Sequence, residues 1–339
     1  MIKYGIVGTG GIARIHAELI NDIPNIDLFG AHDINDKSLN CFCGNYGTEP
    51  FRDLHALLSK IDVAVICSPN FCHMEHIVKS LVYNCDVLCE KPLTTSIAET
   101  NLLESFKNSK NIKAINLNYR NLLVVKKIKE LIENNQIGEI ISIKMSFLKN
   151  SALKRKQFTW RDDCSSKLSS GALGDLGIHL LDLSLYLTES NVEFETVKTK
   201  MMTKVSKKND KKILVDDHSE AFYLMDNGTY INIETSKATR KEMCGLYIKI
   251  TGTNGEIYFS SKKGEEINVD NGENKTIKLE ERLYEDPPNE FFGWKDSFYH
   301  THLKLLNAVK KRDNTDITTF EDGLCAQEIL EYCIENYKL

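Results

Sequence analysis

The sequence predicts an α/β protein in two parts. A Rossmann-type doubly wound parallel sheet comes first, followed by an α+β domain built on a large open, mainly antiparallel sheet. Three observations predict this. Apolar strand-like runs alternate with helical patterns through residue 120. A glycine-rich turn directly follows the first strand. Beyond residue 138, period-two alternation takes over, as in strands with one covered face. The expected division is 1–120 and 121–339, because 339 residues exceed what one core usually fills.

Composition narrows the function classes. The formal net charge is −5, with no basic excess to favour nucleic acid as a partner. No apolar run reaches the roughly 18 residues that would mark a membrane span, and the amino terminus enters a strand at once. The ten cysteines show no Cys-x-x-Cys pair and no zinc-like spacing with histidine, so they read as reduced thiols of a cytoplasmic protein.

The first strand, residues 2–7, runs into Gly8-Thr9-Gly10-Gly11-Ile12-Ala13 and then a helical pattern to Asn21. This is the Gly-x-Gly-x-x-Ala form of the dinucleotide fingerprint, placed between strand and helix as the motif requires. The glycines permit a tight turn and let backbone approach a pyrophosphate on the helix N-terminus. The next strand, 26–32, ends at Asp33, which can accept hydrogen bonds from ribose hydroxyls and would repel a 2′-phosphate. NAD is therefore favoured over NADP, with Lys37 the residue that could reverse the preference. The competing role for Asp33 is a helix cap. Ser68, Pro69 and Asn70 follow a buried strand at 62–67 and are expected to line the cofactor. His73 and His76 share a helix face, but without nearby carboxylates no metal is expected.

The stretch Cys89-Glu90-Lys91-Pro92-Leu93 closes a short buried strand beginning at Asp86. A lysine there falls where open α/β sheets bind ligands, and desolvation would fit its ammonium for proton work. The plainer reading is a surface lysine at an ordinary strand end. After the strand at 112–117, Asn118, Tyr119 and Arg120 are candidate substrate residues.

In the second part an amphipathic helix spans 123–134. Alternating segments follow near 141–147, 193–202, 219–225, 229–235, 246–251 and 256–260, and two helices, 297–311 and 321–337, close the chain. Residues 171–182 open a leucine-rich helix in which Asp175 and His179 stand four apart, one turn apart on one face. An aspartate beside a histidine can orient the ring and stabilise imidazolium, which would make His179 a general base. A purely structural pair is the alternative, and Asp182 reads as a structural polar partner. Residues 149–170 carry Lys149, Lys154, Arg155, Lys156, Arg161 and Lys167 against Asp162 and Asp163. Trp160 there could face a sugar ring, with Arg161 beside it, and the charge points to an anionic sugar or to a solvated basic loop. The lysine-rich stretch 198–212 reads as a strand end plus an exposed loop.

Taken together, the glycine turn, Glu90-Lys91-Pro92 and the Gly171-to-Asp182 helix resemble the Gfo/Idh/MocA oxidoreductases, over nearly the whole chain. The likeness extends through Ser68-Pro69-Asn70 with His73, Asn118-Tyr119-Arg120 and residues 251–256. It implies an amino-terminal Rossmann domain, a site between the domains, and Lys91, Asp175 and His179 as a catalytic group. Gly8, Thr9, Gly10, Gly11, Ile12, Asp33, Ser68, Pro69, Asn70, His73, Glu90 and Lys91 are the expected cofactor-binding residues. It further implies a homodimer or homotetramer built on the open sheet face. Departures are Ala172 in the glycine-rich lead-in and Leu122-Leu123, where the family usually keeps an aromatic residue or proline; both bear on substrate fit. The expected reaction is hydride exchange between NAD and a secondary alcohol of a sugar or cyclitol. A dinucleotide-sensing binding protein of the same fold is the alternative.

Overall fold

Six parallel strands build the first sheet in a computed structural model that describes residues 1–163, 171–288 and 290–337. They are β1 (Ile2–Val7), β2 (Ile26–His32), β3 (Glu49–Phe51), β4 (Val63–Ile66), β5 (Asp86–Cys89) and β6 (Lys113–Ile115), in spatial order β3-β2-β1-β4-β5-β6. β4 and β5 are buried along their whole length, and apart from Asp86 at the start of β5 their sequences are apolar. Strand order reverses at β1 and β4, and there a doubly wound sheet opens a crevice at its carboxyl ends. β3 was not anticipated; it has three residues, one of them Pro50, and proline is tolerated on such an edge strand. Helices α1 (Gly11–Asn21), α2 (Asp36–Tyr46), α3 (Leu54–Leu58), α4 (His73–Val82) and the short α5 (Ile97–Thr100) alternate with these strands.

The second sheet has eight strands, mainly antiparallel as expected. In chain order come β7 (Ile140–Leu148), β8 (Val192–Met202), a separate hairpin of β9 (Lys207–Lys208) and β10 (Lys211–Lys212), β11 (His218–Met225), β12 (Tyr230–Ser236), β13 (Gly245–Gly252), β14 (Gly255–Ser260), β15 (Glu266–Asp270) and β16 (Asn274–Lys278). The order is β16-β15-β14-β13-β7-β12-β11-β8, with β7 and β12 the parallel pair. Register places Met145 opposite Ile233 on one side and Ile248 on the other, so alternate residues form a single apolar layer. Helices α6 (Leu123–Glu133), α7 (Ser151–Lys154) and α8 (Ile178–Thr188) belong to this part, and α8 packs against β7 and β12. Of the stretch 198–212, residues 198–202 are the expected strand end, in β8, and the mostly exposed remainder folds into the β9–β10 hairpin where a plain loop was expected. Asn209 and Asp210 both take positive φ, as a tight hairpin turn requires, and Lys208 is buried.

The two compact units do not follow the chain in sequence. One joins Met1–Asn118 with Ser297–Leu324, and the other joins Tyr119–Asp296 with Cys325–Leu339. The return is made by α9 (Trp294–Lys311), whose Leu305, Leu306, Ala308 and Val309 enter the same core as Tyr4, Ile6, Val63 and Leu88. Arg312 then pairs with the buried Asp86 carboxylate at 2.8 Å, and α10 (Phe320–Asn336) follows. A boundary at residue 120 misses this, because the period of α9 marks an apolar face without saying which sheet receives it. Leu305→Ala should lower stability by about 2–5 kcal/mol through lost burial and a residual cavity. Urea unfolding checks this; a loss under about 0.5 kcal/mol, typical of surface positions, would mean that α9 is not part of that core.

Candidate functional site

In the first unit the glycine turn is shaped by close approach. Gly8 takes φ +92°, and a Cβ there would lie 2.7 Å from the Ser68 backbone at the end of β4. Only glycine fits such a position. Gly10 precedes the first turn of α1, whose amino-terminal N–H groups have no intrahelical partner and suit a phosphate. Thr9 is buried, and both its N–H (2.7 Å) and its hydroxyl (2.8 Å) donate to Asp33 Oδ2. Asp33 is thereby fixed beside the turn. The helix-cap role belongs instead to Asn35, whose side chain accepts from the Ser38 N–H at 3.0 Å. Lys37 is exposed. This cradle, with a backbone that a Cβ would obstruct and a carboxylate at the end of β2, fits a dinucleotide.

Ser68, Pro69 and Asn70 lie directly past β4. The Ser68 hydroxyl meets His76 Nδ1 at 2.9 Å, and burial lowers the His76 pKa to about 4. His73 is fully buried; its ring nitrogens approach the Pro92 carbonyl at 2.7 Å and the Ser68 carbonyl at 3.0 Å. His73 thus ties the loop after β4 to the turn after β5. In that turn the Lys91-Pro92 peptide is cis, and Lys91 itself is half-buried. Glu90 lies beneath it. Its Oε1 accepts from Asn116 Nδ2 at 2.7 Å and meets His16 Nε2 at 2.9 Å, while Oε2 accepts from the Lys91 N–H at 3.2 Å. Burial opposes ionisation of Glu90, yet His16 and Asn116 outweigh it and hold the carboxyl below its ordinary range. His16 Nδ1 in turn meets His302 Nε2 at 2.8 Å. Sequence reading missed His16, Asn116 and His302: a single polar residue on an apolar face does not announce its partner.

The second unit gathers the other half of the predicted residues. Leu173–Gly177 forms a π-turn that leads into α8. Wider turns of this kind change which side chains share a face, so the four-residue spacing of Asp175 and His179 differs from that of a regular helix. The Asp175 carboxylate pairs with Lys237 Nζ at 2.9 Å. The buried His179 ring stacks on Tyr119, with centroids 3.9 Å apart and planes at 10°. Tyr119 is boxed by Phe147 and Phe291, and burial first, then Glu290 and Asp175, push its phenol pKa up. Gly171 allows the helix to start here, since a Cβ would lie 1.7 Å from Asp216 Oδ1.

The remaining substrate candidates separate by their contacts. Asn118, in the first unit, donates to Ser297 Oγ at 2.6 Å. Arg120 forks onto the fully buried Asp182 at 2.6–3.1 Å, a structural pairing midway along α8. The Arg161 guanidinium lies 4.3 Å above the half-buried Trp160 ring. The basic segment is partly neutralised: Lys149 binds Glu290 at 2.6 and 2.8 Å, and Arg155 and Lys208 both bind Asp162. Lys154 and Lys156 are exposed, and Lys167 lies outside the described residues. Lys237, Glu290 and Lys208 had no signal in the sequence beyond their charge.

Gly8→Ala should raise the dissociation constant for NADH at least about tenfold, because the new methyl would collide with backbone that cannot yield. Fluorescence titration of folded protein checks this; unchanged affinity would remove the turn from the binding site.

Known proteins agree with this architecture. Residues 2–116 match the family described as "Oxidoreductase family, NAD-binding Rossmann fold", and residues 129–338 match its "C-terminal alpha/beta domain". The chain is 41% identical over 339 residues to a glucose-6-phosphate 3-dehydrogenase of Bacillus subtilis, covering 99% of this chain and 96% of that protein. A myo-inositol 2-dehydrogenase of Thermotoga maritima is 27% identical over 57% of this chain and 56% of its own length. Among solved structures, a levoglucosan dehydrogenase in complex with NADH and levoglucosan superposes with a TM-score of 0.90, at 20% identity over 99% of this chain and 97% of that one. An oxidoreductase domain protein from Kribbella flavida gives 0.88 at 20% identity, over the same shares of the two chains. The chain belongs to the Gfo/Idh/MocA family of oxidoreductases and carries that family's NAD-binding Rossmann domain.

Proposed function

We propose that this protein oxidises a secondary hydroxyl of a sugar or sugar derivative, with a hexose phosphate as the leading substrate class. The observation that carries the reading is the 41% identity, running the whole length of the chain, with a glucose-6-phosphate 3-dehydrogenase. Cations on the 155–161 segment and its partner hairpin agree with an anionic sugar: Arg155 and Lys208 share the single carboxylate of Asp162, and Arg161 is exposed beside Trp160. Asp33, held by Thr9 at the end of β2, supports NAD over NADP.

The nicotinamide, when bound, supplies the hydride acceptor. The chain's own residues manage the proton and the alignment. In this reading His179 takes the hydroxyl proton, its ring plane set by the Tyr119 stack. Lys91, on a turn pinned through Glu90 and His73, donates a hydrogen bond to the same oxygen and favours developing alkoxide charge. Asp175, in the π-turn that leads into α8, is in this reading the carboxylate that orients His179. The open face of the eight-stranded sheet carries Phe222, Tyr230, Tyr247 and Tyr258 outside the buried layer, which supports pairing with a second copy into a dimer or tetramer. The nine described cysteines are unbridged thiols and no described helix could cross a membrane, both compatible with work in the cytoplasm.

Lys91→Met and His179→Ala should each lower kcat by about 100-fold or more while leaving NADH affinity within about twofold. The assay follows NADH formation over hexoses, hexose 6-phosphates, glucosides and inositols; full turnover in both variants would end the mechanism. No turnover by the unaltered protein across the panel would favour a dinucleotide-sensing binder instead. Light scattering of the purified protein should give a mass of two or four chains, and a monomer would contradict the sheet-face assembly.

A further inference from the structure

Lys237 was chosen by no motif, yet its surroundings single it out. It is the first residue after β12, and its backbone is pinned on both sides. Its N–H donates to the Asp217 carbonyl at 2.7 Å, and its own carbonyl accepts from the Ala152 N–H at 2.8 Å. The side chain is 9% exposed, and its ammonium lies 2.9 Å from Asp175 Oδ2. Its charge also acts on the buried Asp216, whose pKa burial raises. A lysine so enclosed is costly unless a carboxylate compensates it. Asp175, on the π-turn and 30% exposed, is that carboxylate.

The pair gives the Asp175 carboxylate an anchor that the sequence does not announce. A regular helix would assign Asp175 to the His179 ring one turn on. Here a π-turn intervenes, Asp175 is anchored to a strand end through Lys237, and the His179 ring lies flat on Tyr119. We propose that Lys237 is a positioning residue of the reaction, fixing the place of the Asp175 carboxylate through its ion pair. This rests on the sugar-dehydrogenase reading above. A carboxylate held in this way keeps one direction for accepting a substrate hydroxyl or balancing charge at His179, and a freely rotating one does not.

The test is a cycle of Lys237→Met, Lys237→Arg, Asp175→Asn and the double variant Lys237→Met/Asp175→Asn, assayed as purified full-length protein. Lys237→Met should reduce kcat by about 10- to 100-fold with KM for NAD unchanged. Lys237→Arg, which keeps the charge, should recover at least about a third of the lost rate. The double variant should be no slower than Asp175→Asn alone, since residues acting as a unit are not additive. Three results would overturn the proposal: a folded Lys237→Met at full kcat, multiplicative losses in the double variant, or no recovery with arginine. Should Lys237→Met fail to fold, Lys237→Gln takes its place, with the same loss of kcat expected and full kcat overturning the proposal. Failure of the function reading looks different: the unaltered protein then shows no sugar oxidation, and both ideas fall together.

Discussion

The Glu90 carboxylate is the constraint from which the first unit's chemistry follows. It is buried, kept ionised by His16 and Asn116, and bonded to the backbone of the lysine that comes next. Through His16 it reaches the helix that begins at the glycine turn, and through His302 it reaches α9. An unpaired carboxylate in that position would be several kcal/mol too costly to keep. The network therefore makes the dinucleotide cradle, the Lys91 turn and the returning helix parts of one object. Their positions are correlated because they share one buried charge.

The second unit solves a different problem. Its sheet presents one apolar layer to α8, and the charges there come in compensated groups: Asp175 with Lys237, Glu290 with Lys149, Asp162 with Arg155 and Lys208. Burial raises the Glu290 pKa, with Lys149 acting against it, whereas three donors beside Asp162 hold its carboxyl low. Aromatic packing supplies the rigidity. Phe147 and Phe291 fix Tyr119, and Tyr119 fixes the plane of His179.

Much of the fold was legible because periodicity and punctuation are local. β1, β4 and β5 announced themselves as apolar runs, and the strands from β11 to β14 by alternation. β15 and β16 were not seen: Glu266–Asp270 alternates but holds only Ile267 and Val269 as apolar residues, and Asn274–Lys278, the edge strand, is polar apart from Ile277. The individual residues of the candidate site were legible where a motif carries them, as with Gly8, Asp33, Lys91 and His179. Their partners were not. His302 is 286 residues from His16, and Lys237 is 62 from Asp175; such pairings are set by topology, which a linear reading does not contain. The π-turn was also invisible, because leucine-rich helical sequence looks the same with or without one wider turn.

The most direct test of the central claim uses glucose 6-phosphate carrying deuterium at the ring carbon to be oxidised, incubated with the protein and NAD. The account predicts one deuterium in the NADH recovered, seen as a one-unit mass increase, and a ketone at that carbon. Unlabelled NADH, or no NADH from this or any other sugar of the panel, would contradict it.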